Sequence, residues 1–262
     1  MAPSPDEERA PDSARAPEKA VLRRAFVVLD AFAGSQEEQT ISGICRQTDL
    51  PPSTVHRILA TMIDWGGVER TGRGRYRLGL KFWKLGSQVP QARQLRDVAL
   101  PFLEDLYEAT HEVVHLGVRD GLDLLYVEKI SGRRSVHAMS SVGRRLPLHA
   151  TGPGKVLLAH GGPELLDDVL AHGLSRRTPH TITDPTELRS ALAHIRQTGV
   201  AVSRNEASMG TASVAAPICD STGTVVASVS VVMPDDRIDV PQLIPLVKTI
   251  ARAISRQSSK PL

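Results

Sequence analysis

Phe, Tyr and Trp together make up only 3% of the 262 residues, too few for the stacking platforms that hold single-stranded nucleic acid. Cysteine is nearly absent too: Cys45 and Cys219 lie far apart and no C-x-x-C occurs, which excludes a disulfide framework and a zinc ribbon. No uncharged apolar run is long enough to span a bilayer, and the N-terminus has no apolar segment of the signal-peptide kind. A cytoplasmic protein with no membrane contact is expected. Catalytic motifs in the structural setting they require are also missing. GPGKV at 152–156 is similar to a phosphate-binding loop, yet His149 stands where its first glycine belongs and Val156 where its Ser or Thr belongs. Lys155 is therefore read as decorating a helix start. No G-x-S-x-G elbow exists. His111 and His115 have the i, i+4 spacing of a zinc-binding helix, but β-branched Val113 and Val114 turn that segment towards a strand. No enzyme activity, cofactor or metal is expected.

What the chain does have is a hydrophobic fraction of 41%, enough for a sizeable core, and a net charge of +3 whose placement matters more than its size. Residues 1–18 are Pro, Ala and charge, and read as a disordered arm. From Lys19, Leu22, Ala25, Phe26, Leu29 and Phe32 recur at helical spacing up to Gly34. Thr40 is placed to cap a short second helix, and Thr48-Asp49-Leu50-Pro51-Pro52 is expected as a turn. A third helix is expected over Pro51–Trp65, with Val55, Ile58, Leu59 and Met62 on its inner face. After Gly66-Gly67, two short strands around Thr71–Gly74 predict a hairpin. Three short helices followed by a basic hairpin outline a winged helix-turn-helix.

A helix laid in the major groove needs short polar residues at its start and a bidentate donor one turn on. Ser53 and Thr54 meet the first condition and Arg57 the second, with His56 and Thr40 beside them. Arg70, Arg73 and Arg75 are placed on the wing to reach the DNA backbone. Arg77, Lys81 and Lys84 extend the positive surface, opposed locally by Glu69 alone.

Helices are then expected at Lys81–Gln88 and Leu95–Thr110, with a kink or late start at Pro101. Beyond Glu112, hairpin signals at Asp120-Gly121 and at Asp220–Gly223 join β-branched strands. A strand at Val136–Met139 and helices from Gly154, Pro185 and Pro241 complete the pattern. Hairpins mixed with helices predict an α+β domain with an antiparallel sheet.

Three blocks carry a family resemblance. TISGICRQTDLPPSTVHRILATM with RYRLGLKFWKLG, RRLPLHATGPGKVLLA at 144–159, and GVAVSRNEASMGTASVAAPICDSTGTVVASVSVVMP at 199–234 resemble the IclR (isocitrate lyase regulator) family in content and order. The resemblance spans residues 19 to 256. It implies an α+β fold in which a winged helix-turn-helix at 19–82 joins, through a linker helix region at 83–110, a GAF-like effector-binding domain at 111–257, with a flexible tail at 258–262. It implies a regulator that binds double-stranded operator DNA as a homodimer, often a dimer of dimers, and responds to a small organic effector. A DNA-binding protein with an unliganded C-terminal domain is the alternative that the residues leave open.

The resemblance places the effector pocket at Leu146, Gly152, Pro153, Ser203, Ser213, Ser230 and Val232. Several of these depart from relatives that bind very small acids. Pro153 cannot donate a backbone N–H, Ser203 replaces a common Asp, Ser213 a common Cys, Val232 a second Ser and Met233 a Gly. Fewer donors and more apolar lining imply an effector larger or less acidic than a two-carbon acid. Ser213 and Ser230 have a second reading as serines packed within the sheet. Arg204 and Glu206 read equally as a surface pair or as a lid over the pocket.

Overall fold

The computed structural model describes residues 15–33, 37–132 and 141–258. The chain divides into two compact units between Ser87 and Gln88.

The first unit opens with α1 (Arg15–Asp30), which starts before the expected end of the arm. Good helix formers fill the RAPEKA stretch, and its proline falls in the first turn, where a missing N–H costs little. Gly34, the expected stop, lies outside the described residues. A two-residue strand, β1 (Gln39–Thr40), leads into α2 (Ile41–Thr48), where the Gly43 N–H donates to Thr40 Oγ1 at 3.1 Å. Asp49 ends α2 with φ 59°, and its N–H donates to Cys45 O. Pro51 is extended and Pro52 opens α3 (Pro52–Trp65), which has no side-chain cap; Gly66 closes it at φ 82°. The buried residues of α3 are Val55, Ile58, Leu59 and Met62, packed with Val28, Phe32 and Ile44.

The wing consists of β2 (Val68–Thr71), a 3-10 turn at Gly72–Gly74 and β3 (Arg75–Leu78). The expected two-stranded hairpin becomes a three-stranded sheet in the order β1-β3-β2, because Gln39 and Thr40 pair with Tyr76 and Arg75. Two residues are too few to show strand alternation in sequence. Helix α4 (Leu80–Gly86) closes this unit.

The second unit begins with α5 (Pro90–Thr110), which starts earlier than expected, with Pro90 in its first turn, and continues through Pro101. Leu95, Ala99, Leu103 and Leu106 are buried, so the stretch expected as a linker belongs largely to this unit's core. There follow β4 (Val113–Asp120), β5 (Asp123–Ile130), β6 (Arg145–Pro147), α6 (Gly152–His160), α7 (Gly162–His172), α8 (Pro185–Thr198), β7 (Ala201–Arg204), β8 (Thr211–Cys219), β9 (Val225–Pro234) and α9 (Val240–Gln257). The strand expected at 136–139 lies outside the described residues.

The strands form a six-stranded sheet, β6-β5-β4-β9-β8-β7, with every neighbouring pair antiparallel. One face, with Val114, Leu116, Val214, Ala216, Val229 and Val231, packs on α5 and α9. The other, with Leu124, Tyr126 and Ala215, packs on Val156 and Leu157 of α6 and Leu188 and Leu192 of α8. The C-terminal unit is thus α+β with an antiparallel sheet.

Candidate functional site

The outer side of α3 is polar. Ser53, His56 and Arg57 are exposed and Thr54 is half-buried. Because Pro51 caps α3 without a side chain, the Ser53 and Thr54 hydroxyls are not used in capping. None of these four side chains has a partner among the described residues. They lie on the first two turns, where the helix dipole and unpaired N–H groups favour an approaching phosphate.

Thr40 stands nearby in chain order, but its hydroxyl already accepts from Gly43 and lies 3.1 Å from Ser42 Oγ. On the wing, Arg73 occupies the tip in the left-handed region, φ 65°. Arg70 and Arg73 are exposed and carry no ion pair.

The positive surface is narrower than the sequence suggests. Arg77 donates through Nε and an Nη to Glu69 Oε2, at 2.9 and 2.8 Å. Lys81 donates to Trp65 O at 2.8 Å and lies over the Trp65 ring. Glu69 is not the sole local acid, since Glu38 lies 3.8 Å from Arg75.

In the second unit, α6 starts against the sheet. Thr151 caps it, accepting the Gly154 N–H on Oγ1 at 3.0 Å, while its carbonyl accepts the Lys155 N–H at 2.9 Å. Gly152 has to be glycine here: a Cβ would come within 2.6 Å of Ser213 Oγ. One at Gly154 would come within 2.4 Å of the Leu148 carbonyl oxygen. The glycines of GPGK thus allow helix and sheet to approach closely.

Between this helix start and the sheet lies a small cavity that opens to solvent. Leu146, Gly152, Pro153, Ser203, Ser213 and Val232 all line it. Ser230 does not. It is fully buried in β9 between His115 and Ala215 on the flanking strands, and the His115 side chain borders the cavity instead.

The sequence reading missed His115, Tyr126, Arg144 and Arg177 in this lining, and Glu206, read there as either a surface pair or a lid, borders the cavity. The His115 and Tyr126 rings lie 4.5 Å apart. Burial, assisted by the Lys129 charge, lowers the His115 pKa to about 3 and so holds the ring neutral. Burial also raises the Tyr126 pKa, against a smaller opposing effect of Arg144, so its hydroxyl stays protonated. The run His111–His115 reads H-E-x-x-H letter by letter, but His111 is the left-handed cap of α5 and His115 lies in β4. The pair is not on one helical face, as a zinc-binding motif of that type requires.

Lys155 and Glu206 depart most from the sequence reading. Lys155 is buried and pairs with Glu206 Oε1 at 2.5 Å, their side chains 3% and 8% exposed. Nor do Arg204 and Glu206 pair with each other, because Arg204 reaches Asp235 at 2.7 Å. The Glu206 loop is held by Thr178 and Thr181, between α7 and α8, whose hydroxyls donate to the carbonyls of Asn205 (2.6 Å) and Glu206 (2.8 Å).

Comparison with known proteins agrees with both units. Residues 21–72 match the family pattern described as the IclR helix-turn-helix domain, and residues 87–256 that of the bacterial transcriptional regulator IclR C-terminal domain. The chain is 35% identical over 224 residues to the HTH-type transcriptional regulator XynR of Escherichia coli K12, covering 85% of this chain and 89% of that one. With the regulator KdgR of Dickeya chrysanthemi it shares 33% over 239 residues, 89% and 78% of the two chains. Among solved structures, an IclR homolog from Microbacterium hydrocarbonoxydans complexed with 4-hydroxybenzoate superposes with a TM-score of 0.83 at 34% identity, covering 91% of this chain and 98% of that one. The Thermotoga maritima IclR superposes at 0.73 with 30% identity, covering 92% and 100%. Winged helix, antiparallel effector-type domain and sequence thus converge, and the chain belongs to the IclR family of bacterial transcriptional regulators.

Proposed function

We propose that this regulator docks on operator DNA through α3 and the wing, and that a small organic acid in the cavity beside α6 switches it. In this reading Ser53, Thr54, His56 and Arg57 meet the major groove, with Thr40 at its edge. Arg70, Arg73 and Arg75 meet phosphates, and Leu146, Gly152, Pro153, Ser203, Ser213 and Val232 surround the effector. The observation that carries the reading is the cavity itself, a concave site with convergent polar groups in the same chain as an exposed polar helix face. Its apolar wall, the lack of an N–H on Pro153 and the 4-hydroxybenzoate held by a relative favour an aromatic or larger carboxylic acid over a two-carbon acid. A regulator with this docking face works where the chromosome is, in the cytoplasm.

A homodimer, assembling further as a dimer of dimers, fits the surface of the first unit. Leu22 and Phe26 of α1 are 58% and 60% exposed, and Trp83 of α4 is 74% exposed. Large apolar side chains left this open are typical of an association surface.

The test is a thermal-shift series followed by footprinting. A bound effector at a hundred times its Kd stabilises the fold by about 2.7 kcal/mol. Aromatic acids should raise the midpoint and alter operator protection. Tight binding of glyoxylate or pyruvate with no response to aromatic acids would reverse the assignment of effector size, and no response to any acid would remove the effector role of the cavity.

A further inference from the structure

The start of α6 is poorly supplied to hold an anion. Pro153 has no N–H, the Gly154 N–H is taken by Thr151 Oγ1, and the Lys155 N–H by the Thr151 carbonyl, which leaves the Gly152 N–H as the one backbone donor of its first turn. The Lys155 ammonium, the nearest formal charge on the helix, is matched by Glu206. A carboxylate in a partly dry cavity needs charge-assisted donors from somewhere.

We propose that the acid group of the effector is held by the guanidinium groups of Arg144 and Arg177, not by the start of α6. Both line the cavity, and neither has an ion pair among the described residues. Their chain neighbours differ. Arg145 pairs with Asp120 at 3.2 Å and Asp123 at 3.4 Å, and Arg176 donates to the Pro179 carbonyl and to Thr183 Oγ1. Of these four arginines, the two that border the cavity keep their donors. Glu206 is the one carboxylate in the lining, and it already faces Lys155. The stretch 133–140, RRSVHAMS, contains no acidic residue. Arg144 is half-buried, and its backbone is fixed on both sides: Tyr126 N–H donates to its carbonyl at 3.1 Å and its own N–H donates to Ser141 O at 3.0 Å. Arg177 is exposed at the rim. Arg144 is therefore the main anchor, and Arg177 a screened, weaker second.

This inference rests on reading the cavity as an effector site, and the experiment separates the two. Calorimetric titration of the full chain uses 4-hydroxybenzoate and its neutral counterpart 4-hydroxybenzamide, which share shape and differ in charge. Wild type should prefer the acid by about tenfold or more, the size expected of a charge-assisted contact. Arg144→Gln should abolish that preference by weakening the acid alone, with amide affinity and the ligand-free melting midpoint unchanged. Arg177→Gln should reduce it by a smaller factor, one that vanishes at high salt. Unchanged acid binding in Arg144→Gln overturns the proposal, as does an equal loss for acid and amide. Wild type binding the amide as well as the acid overturns it while leaving the effector site standing. Binding of neither probe, nor of pyruvate or glyoxylate, removes both readings.

Discussion

Lys155 on α6 and Glu206 in the β7–β8 loop stand 51 positions apart in the chain and meet as a buried ion pair. One carboxylate oxygen accepts from the ammonium; the other has no hydrogen-bond partner. The pair ties the helix whose start borders the cavity to a loop that also lines it.

Removing one partner leaves a buried charge uncompensated. Lys155→Met should destabilise the second unit by about 3–5 kcal/mol, and Lys155→Met with Glu206→Leu should recover much of that loss. Denaturant unfolding measures both. A single mutant as stable as wild type would mean that water already reaches the pair.

Gly152→Ala tests how closely α6 approaches the sheet. The new methyl would meet Ser213 Oγ, and overpacking of this kind costs about 1–3 kcal/mol. Adding Ser213→Ala should restore part of the stability, as read from melting midpoints of the two variants.

The neutral His115 makes stability depend on pH. Its pKa falls from 6.5 in the unfolded chain to about 3 in the folded one, through burial first and the Lys129 charge second. Between those values the unfolded chain binds the additional proton. Stability is therefore full above 6.5 and declines as pH falls towards 3, by roughly 2 kcal/mol between pH 8 and pH 5. His115→Gln should flatten the slope between pH 6.5 and 5, a window where most carboxylates do not titrate. Chemical unfolding at several pH values reads this directly.

On DNA, Arg57→Ala should lower affinity for the operator by about 1–3 kcal/mol and relax sequence preference. Arg73→Ala should weaken operator and unrelated DNA alike and reduce the salt slope by about one unit. Normal operator binding by both variants would place the docking face elsewhere.

Association is tested by charge. Phe26→Glu combined with Trp83→Glu places two carboxylates on the exposed apolar side chains of α1 and α4 and should shift the mass measured by light scattering towards the monomer. An unchanged mass would locate the self-association elsewhere.

Much of the first unit was legible because its signals are local. The α3 stripe, the Thr40 cap and the glycine after Trp65 each follow from residues within one or two turns. Pro185–Thr198 was equally plain, with Asp184 Oδ1 accepting the Glu187 N–H at 2.8 Å. Strand β1 was not legible, since two residues carry no periodicity, and the start of α5 was not, because residues 90–94 hold no large apolar side chain to show helical spacing. The cavity residues Arg144 and Arg177 escaped for another reason. They are ordinary charged residues in loops, and their role depends on which partners they meet. The sequence shows that Arg145 and Arg144 are adjacent; only the fold shows that one faces Asp120 and the other the cavity.

The alternation along β8 also bears on how such a regulator can diversify. Ser213 borders the cavity and Ala215 lies on the same side, while Val214 and Ala216 between them bury into the layer with α5 and α9. Drift at the first set can alter what is sensed without touching the second, which keeps the scaffold folded. Two selective pressures thus act on neighbouring residues of a single strand and scarcely interfere, and paralogues can acquire new chemical signals one side chain at a time.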